Sequence, residues 1–138
     1  MTTKEQRDIV HPDMLPGPKT FYASGYGSDQ VNTLRAFLSQ IGYEQVPVQV
    51  CTKGHLDLKL EEALTADIAD DALPEGALPY VLVISGQEIS TVEHLLKRFG
   101  QSGLPRPIFA TTTENNLSFS VKELLRHLLA ERQMASAR

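Results

Sequence analysis

The five residues Cys51-Thr52-Lys53-Gly54-His55 are the stretch of this chain whose types and spacing suggest a reactive group. A cation near a thiol lowers the thiol pKa, and a histidine four residues on can serve as its base. Cys51, however, ends the predicted strand Val46–Cys51, whose alternation favours burying it, and free cysteine is among the residue types most often buried. No oxyanion stabiliser or second carboxylate accompanies the pair, so Cys51 and His55 fall short of a nucleophilic machine. The remaining histidines, His11, His94 and His127, lack His-x-x-x-His spacing. His55 with Asp57, or His11 with Asp13, offers two ligands, and two ligands do not make a metal site. The expectation is no metal, no cofactor and no catalytic residues, with the balance leaning away from an enzyme.

A second candidate is the turn Ser24-Gly25-Tyr26-Gly27-Ser28, which has two glycines and no acid before Asp29. Where a strand ends and a helix begins, backbone amides gather near the helix N-terminus, a natural place for phosphate or carboxylate. Ser24, Gly25, Gly27 and Ser28 are therefore candidate ligand-binding residues. Ser85-Gly86 is a related turn, but Glu88 beside it would repel an anion. Neither turn continues into a Gly-x-Gly-x-x-Gly or Walker pattern, and the alternative is a plain turn that uses glycine for conformational freedom.

The third candidate is electrostatic. The formal charge is −4, yet residues 57–75 hold seven acids against Lys59 alone, so the rest of the chain is net positive. Glu61, Glu62, Asp67, Asp70 and Asp71 on a predicted acidic helix would form an interaction surface for a basic protein partner or for the basic last helix of another copy. A solvated charged face is the alternative.

The elements that position these residues follow from an internal repeat. With a gapless shift of 61 residues, Phe21–Ala69 lies over Leu82–Ala130 with 11 identities in 49 positions, including Ser24/Ser85, Gly25/Gly86, Leu34/Leu95, Thr52/Thr113 and Leu64/Leu125. Each unit reads as strand, helix, strand, helix. In the second unit Tyr80–Ile84 is a continuous apolar strand, and Ser90 with Glu93 forms a capping box opening a helix with Leu95 and Phe99 on one face. Ile108–Thr111 is a strand, and Ser120 with Glu123 opens a Leu-rich last helix. The first unit repeats this with strands at 21–24 and 46–51 and helices near 29–41 and 58–70. The predicted fold is α/β: two tandem diverged β-α-β-α units in one small, mostly parallel four-stranded sheet packed with helices. The expected organisation is a flexible N-terminal arm at 1–19, one domain at 20–132 and a flexible tail at 133–138. Within the domain the units span 20–70 and 80–132, joined by a linker at 71–79.

The stretch Thr113-Glu114-Asn115-Asn116-Leu117-Ser118-Phe119, followed by Val121-Lys122-Glu123-Leu124-Leu125, resembles a small bacterial family known as a domain of unknown function. The resemblance rests on Thr113, Asn116 and Phe119, an aromatic three residues after the Asn, and covers about residues 80–132. It implies a fold neighbourhood and no activity. The physical content of the motif is a loop that caps its own backbone, with an aromatic anchoring the last helix.

At 138 residues, 41% hydrophobic and 22% charged, the chain suits one globular domain able to hold a core without staples. No run approaches the roughly 18 apolar residues of a membrane span, and the start lacks a secretion signal, so a cytoplasmic protein with no membrane partner is expected. One cysteine makes no intrachain disulfide, and the negative charge gives no reason to bind nucleic acid. The leading expectation is a non-catalytic interaction or regulatory domain using the acidic helix. The alternative is a small-molecule or anion-binding domain at Ser24–Ser28, with enzymatic chemistry at Cys51 and His55 as its further variant.

Overall fold

The computed structural model describes residues 13–67 and 73–136. In chain order the elements are β1 (Thr20–Ser24), α1 (Ser28–Leu38), β2 (Val48–Val50), α2 (Leu60–Ala63), β3 (Val81–Ser85), α3 (Ser90–Arg98), β4 (Ile108–Thr111) and α4 (Val121–Ser136). The strands form one sheet in the order β2-β1-β3-β4. Both outer pairs are parallel, while the central pair, β1 with β3, is antiparallel. The fold is thus α/β with a mostly parallel sheet, as the strand and helix periodicities predict. Among the described residues no helix is long and apolar enough to cross a membrane.

Both faces of the sheet are covered. Phe21 and Ala23 of β1, with Leu82 and Ile84 of β3, meet Leu34, Phe37 and Leu38 of α1, Leu95 of α3 and Phe99 just beyond it. Tyr22, Val81 and Val83 face the other way, onto Leu60 and Ala63 of α2 and Val121, Leu124 and Leu125 of α4. All ten residues of β1 and β3 are buried, which is why these strands read as runs rather than as alternation. Each fully buried Leu, Ile or Phe contributes about 1.5–3 kcal/mol, so the two layers hold the central strands from both sides.

The acidic helix expected over 58–70 is corrected to a single turn, Leu60–Ala63. Gln49 of the edge strand β2 explains the stop: its side-chain amide donates to the carbonyls of Ala63 (2.9 Å) and Ala66 (2.6 Å), which another helical turn would have used. Carboxylates near the C-terminal end of such a helix would also oppose its dipole.

The capping box expected at Ser90 is also corrected. The Ser90 hydroxyl donates to Glu88 (3.2 Å), and α3 has no side-chain cap. At Ser120 the expected cap is present in part, its hydroxyl accepting the Glu123 amide at 3.2 Å. The described part of the N-terminal arm, 13–19, lies along the α3 entrance: the Leu15 amide donates to the Gln87 carbonyl (2.8 Å) and the Gly86 amide to that of Pro16 (3.2 Å). Leu15 packs against the first core layer. At the other end α4 continues to Ser136, into the stretch assigned to the tail.

Candidate functional site

The two Ser-Gly turns do the same structural work. The Ser24 hydroxyl donates to the Pro79 carbonyl at 2.7 Å, and Gly25, at φ 90°, lies so close to the chain entering β3 that a Cβ would stand 2.8 Å from that carbonyl oxygen. In the other half the Ser85 hydroxyl donates to the Pro16 carbonyl at 3.5 Å, and a Cβ on Gly86, at φ 66°, would stand 2.5 Å from the Gly17 carbonyl oxygen. Ser24 and Gly25 thus seat the strand entry, and at Gly25, as at Gly86, positive φ and close approach leave no room for a side chain.

The other half of the turn opens onto solvent. Gly27 donates its amide to the Gln30 side chain at 2.9 Å, and Ser28 begins α1. Gly27 and Ser28 line a recess of about 400 Å³ that also contains Asp29 and Glu75. The Tyr80 hydroxyl, donating at 2.5 Å, holds the Glu75 carboxyl below the usual carboxylate range, so this side of the turn is acidic.

On the opposite side of the α1 N-terminus is a pocket of about 270 Å³. Ser28, Asn32 and Arg35, spaced for one helix face, supply its polar wall, and Val31, Val50 and Tyr26 its apolar wall. The Tyr26 ring is fixed by its hydroxyl, which donates to the Pro105 carbonyl at 2.6 Å. The Arg35 guanidinium reaches the edge strand, one nitrogen donating to the Val48 carbonyl at 3.2 Å. Thr52, just past β2, closes the floor. Its residue is 9% exposed, and among the described residues its hydroxyl oxygen is the buried side-chain polar atom that lacks a hydrogen-bond partner. The location, outside the carboxyl ends of two parallel strands and beside a helix N-terminus, is where open α/β sheets bind ligands.

The corresponding place in the C-terminal half, 61 residues on, has different chemistry. Ser28, Asn32 and Arg35 are replaced by Ile89, Glu93 and Leu96. There the Ile89 amide is taken by the Asp13 carbonyl at 2.6 Å, whereas among the described residues no linker carbonyl bonds the first amides of α1. Thr113, in the position of Thr52, has a partner: its hydroxyl accepts the Asn116 amide at 2.9 Å. Asn116 in turn accepts the Thr113 amide (2.8 Å) and donates to the Thr111 carbonyl (2.9 Å), the self-capping loop expected there. In the N-terminal half the equivalent His55 amide donates to the Thr52 carbonyl instead, at 3.1 Å.

Cys51 and His55 are both buried in the core, each against Tyr22. The Tyr22 hydroxyl shares a 2.9 Å hydrogen bond with His55 Nδ1, and all three residues are at most 3% exposed. Burial pushes the Cys51 thiol and the Tyr22 hydroxyl up from their ordinary pKa values, so the thiolate is disfavoured. Among the described residues no group of three His, Cys, Asp or Glu is placed to hold a metal.

Of the acidic candidates, Glu61, Glu62 and Asp67 are exposed. Glu62 caps α2 by accepting the Lys59 amide at 3.0 Å, and Asp57 pairs with Lys122 at 3.3 Å on the surface. Asp70 and Asp71 lie outside the described residues. Asn32, Arg35 and Thr52 were missed by motif reading because no motif joins a helix face to a strand end. The signal was present in the contrast between the two units at 28/89, 32/93 and 35/96.

No curated protein and no solved structure gives a significant match to this chain. Residues 80–134, which carry β3 through most of α4, match the family model described as a domain of unknown function, DUF3783.

Proposed function

We propose that this domain is a binding module for a small organic anion, held in the pocket between the start of α1 and the end of β2. The observation that carries this is a polar set in the N-terminal half alone: Ser28, Asn32 and Arg35 on one helix face, opposite the unpartnered buried hydroxyl of Thr52. A carboxylate or phosphate would accept from the Arg35 guanidinium and the first amides of α1, where charge-assisted bonds and the helix dipole act together. The Asn32 amide and the Ser28 hydroxyl give orientation, and rotation of Thr52 would bring its hydroxyl a partner. Val31, Val50 and the Tyr26 ring would cover a short apolar portion of the ligand. At about 270 Å³ the pocket is at the small end of the range for ligand sites, which suits a small metabolite. Binding without catalysis is the favoured role, since the thiol is buried with its thiolate disfavoured.

Thermal-shift titration of the full chain with inorganic phosphate, carboxylates from acetate to hexanoate, and nucleoside monophosphates tests this. A probe at one hundred times its Kd stabilises by about 2.7 kcal/mol, and Arg35→Leu, which copies Leu96, should abolish that shift. Equal shifts in the variant and the parent, or no shift with any of these probes, would refute the assignment.

A further inference from the structure

We infer that the chain is a covalently fused two-fold dimer, and that the face which one β-α-β-α unit turns toward the other is an assembly surface for a second copy of such a unit. The central strand pair supplies the first observation. Tyr22 pairs with Val83, which is its own counterpart at the shift of 61, and Phe21 with Ile84 and Ala23 with Leu82 flank it symmetrically. Antiparallel pairing of a residue with its own equivalent is what a two-fold axis through that pair produces.

A second crossing point lies at the starts of α2 and α4, the helices that cover one face of the sheet. Lys59 bridges Ser120, again a pair 61 apart, and the flanking hydrogen bonds are reciprocal. The Leu60 amide donates to the Phe119 carbonyl at 2.8 Å, and the Val121 amide donates to the Leu58 carbonyl at 2.9 Å. Exchanging each residue for its counterpart turns one bond into the other. This is the isologous pattern, in which i contacts j and j contacts i.

Inside the units the registers agree. Phe21 pairs with Val48 and Leu82 with Phe109, so both parallel ladders have the same offset. The Cys51 amide donates to the Ala23 carbonyl (2.8 Å) as the Thr112 amide does to that of Ile84 (3.2 Å). Neither unit covers its first strand alone. All five residues of β3 are buried, and the edge of β3 is satisfied by β1 of the other unit. The family match of residues 80–134 spans one such unit, so a protein carrying that unit alone would need a partner with the same face.

The experiment starts from the full chain with a protease site placed in the exposed turn at Glu75–Gly76. After cleavage the halves should remain together; after unfolding and refolding, native mass spectrometry should show C-terminal homodimers beside the original pair. Those homodimers should be the minority, because Val83 would face Val83 and leave the volume of the Tyr22 ring unfilled. In the same cleaved chain Val83→Cys should self-crosslink on oxidation, whereas Ser85→Cys, which pairs with position 81, should not. Recovery of the original pair alone, or a folded monomeric C-terminal half, would overturn the inference. A full-length chimera in which residues 81–130 replace residues 20–69 covers the case where the cleaved halves fail to refold. Cooperative unfolding of a monomeric chimera is the expected result, and an unfolded or aggregated chimera overturns the inference.

Discussion

Valine substitution at Thr52 and at its counterpart Thr113 should change stability in opposite directions. The Thr52 hydroxyl is buried without a partner, and an unmet buried hydroxyl costs about 1–3 kcal/mol. Valine keeps the shape and the extended backbone that Thr52 already has, at φ −116° and ψ 173°, and replaces the hydroxyl with a methyl group. Thr52→Val should therefore stabilise the unliganded protein by about 1–2 kcal/mol. At about 2.1 cal/mol/K per residue of unfolding entropy, each kcal/mol is worth about 3–4 °C in this chain. The variant should accordingly melt about 3–7 °C higher. Thr113 is exposed, and its hydroxyl accepts the Asn116 amide at 2.9 Å. Thr113→Val should lose about 1 kcal/mol, as at a helix cap. Urea denaturation gives both numbers: the midpoint should rise for one variant and fall for the other, with unchanged m. The stabilised variant should also lose part of the response to whichever anion shifts the parent protein. A Thr52→Val protein that is less stable than the parent would refute the reasoning, because it would mean that the hydroxyl already has a partner worth keeping.

Gly86→Ala should destabilise by about 3 kcal/mol, combining left-handed strain with a Cβ at 2.5 Å from the Gly17 carbonyl; a denaturation midpoint within error of the parent would contradict the close approach. Alkylation of native Cys51 by iodoacetamide at neutral pH should be at least about 100-fold slower than in the unfolded chain, since the buried thiol reacts through opening. Rapid labelling would return Cys51 to the list of reactive groups. Glu75 has a depressed folded pKa, so whatever its contact adds to stability is present in full above pH 4.5 and is lost as pH falls through the folded value. An NMR titration should place its midpoint below 4.5, and Tyr80→Phe should bring it back toward that value.

The order of strands and helices was legible because apolar periodicity is local: β3 reads as a buried run and α3 as an amphipathic stripe wherever they pack. Thr113 and Asn116 were legible as a loop that caps itself, because their partners lie within five residues. The end of α2 was not legible, since Gln49 is 14 residues from Ala63 in the chain and stops the helix through space. The same holds for the α3 entrance, where the carbonyl of Asp13 takes the Ile89 amide and the Ser90 hydroxyl turns to Glu88 instead of capping the helix. The candidate site was half legible: Ser28 stood in the marked turn, while Ser24 and Gly25 turned out to seat the chain at Pro79.

Hydrophobic pattern and turn chemistry alone determined an α/β domain with a mostly parallel sheet, because burial on both faces of a strand and on one face of a helix leaves a period in the chain. Tertiary structure alone decided that the central strands run antiparallel, so that Tyr22 meets Val83. It also decided which hydroxyl is left over. Thr52 and Thr113 are the same residue at equivalent positions, and only the loop that follows each one determines whether a backbone amide reaches its oxygen. Hydrogen bonds of that kind depend on the position of atoms to within a few tenths of an ångström, a precision that periodicity does not carry.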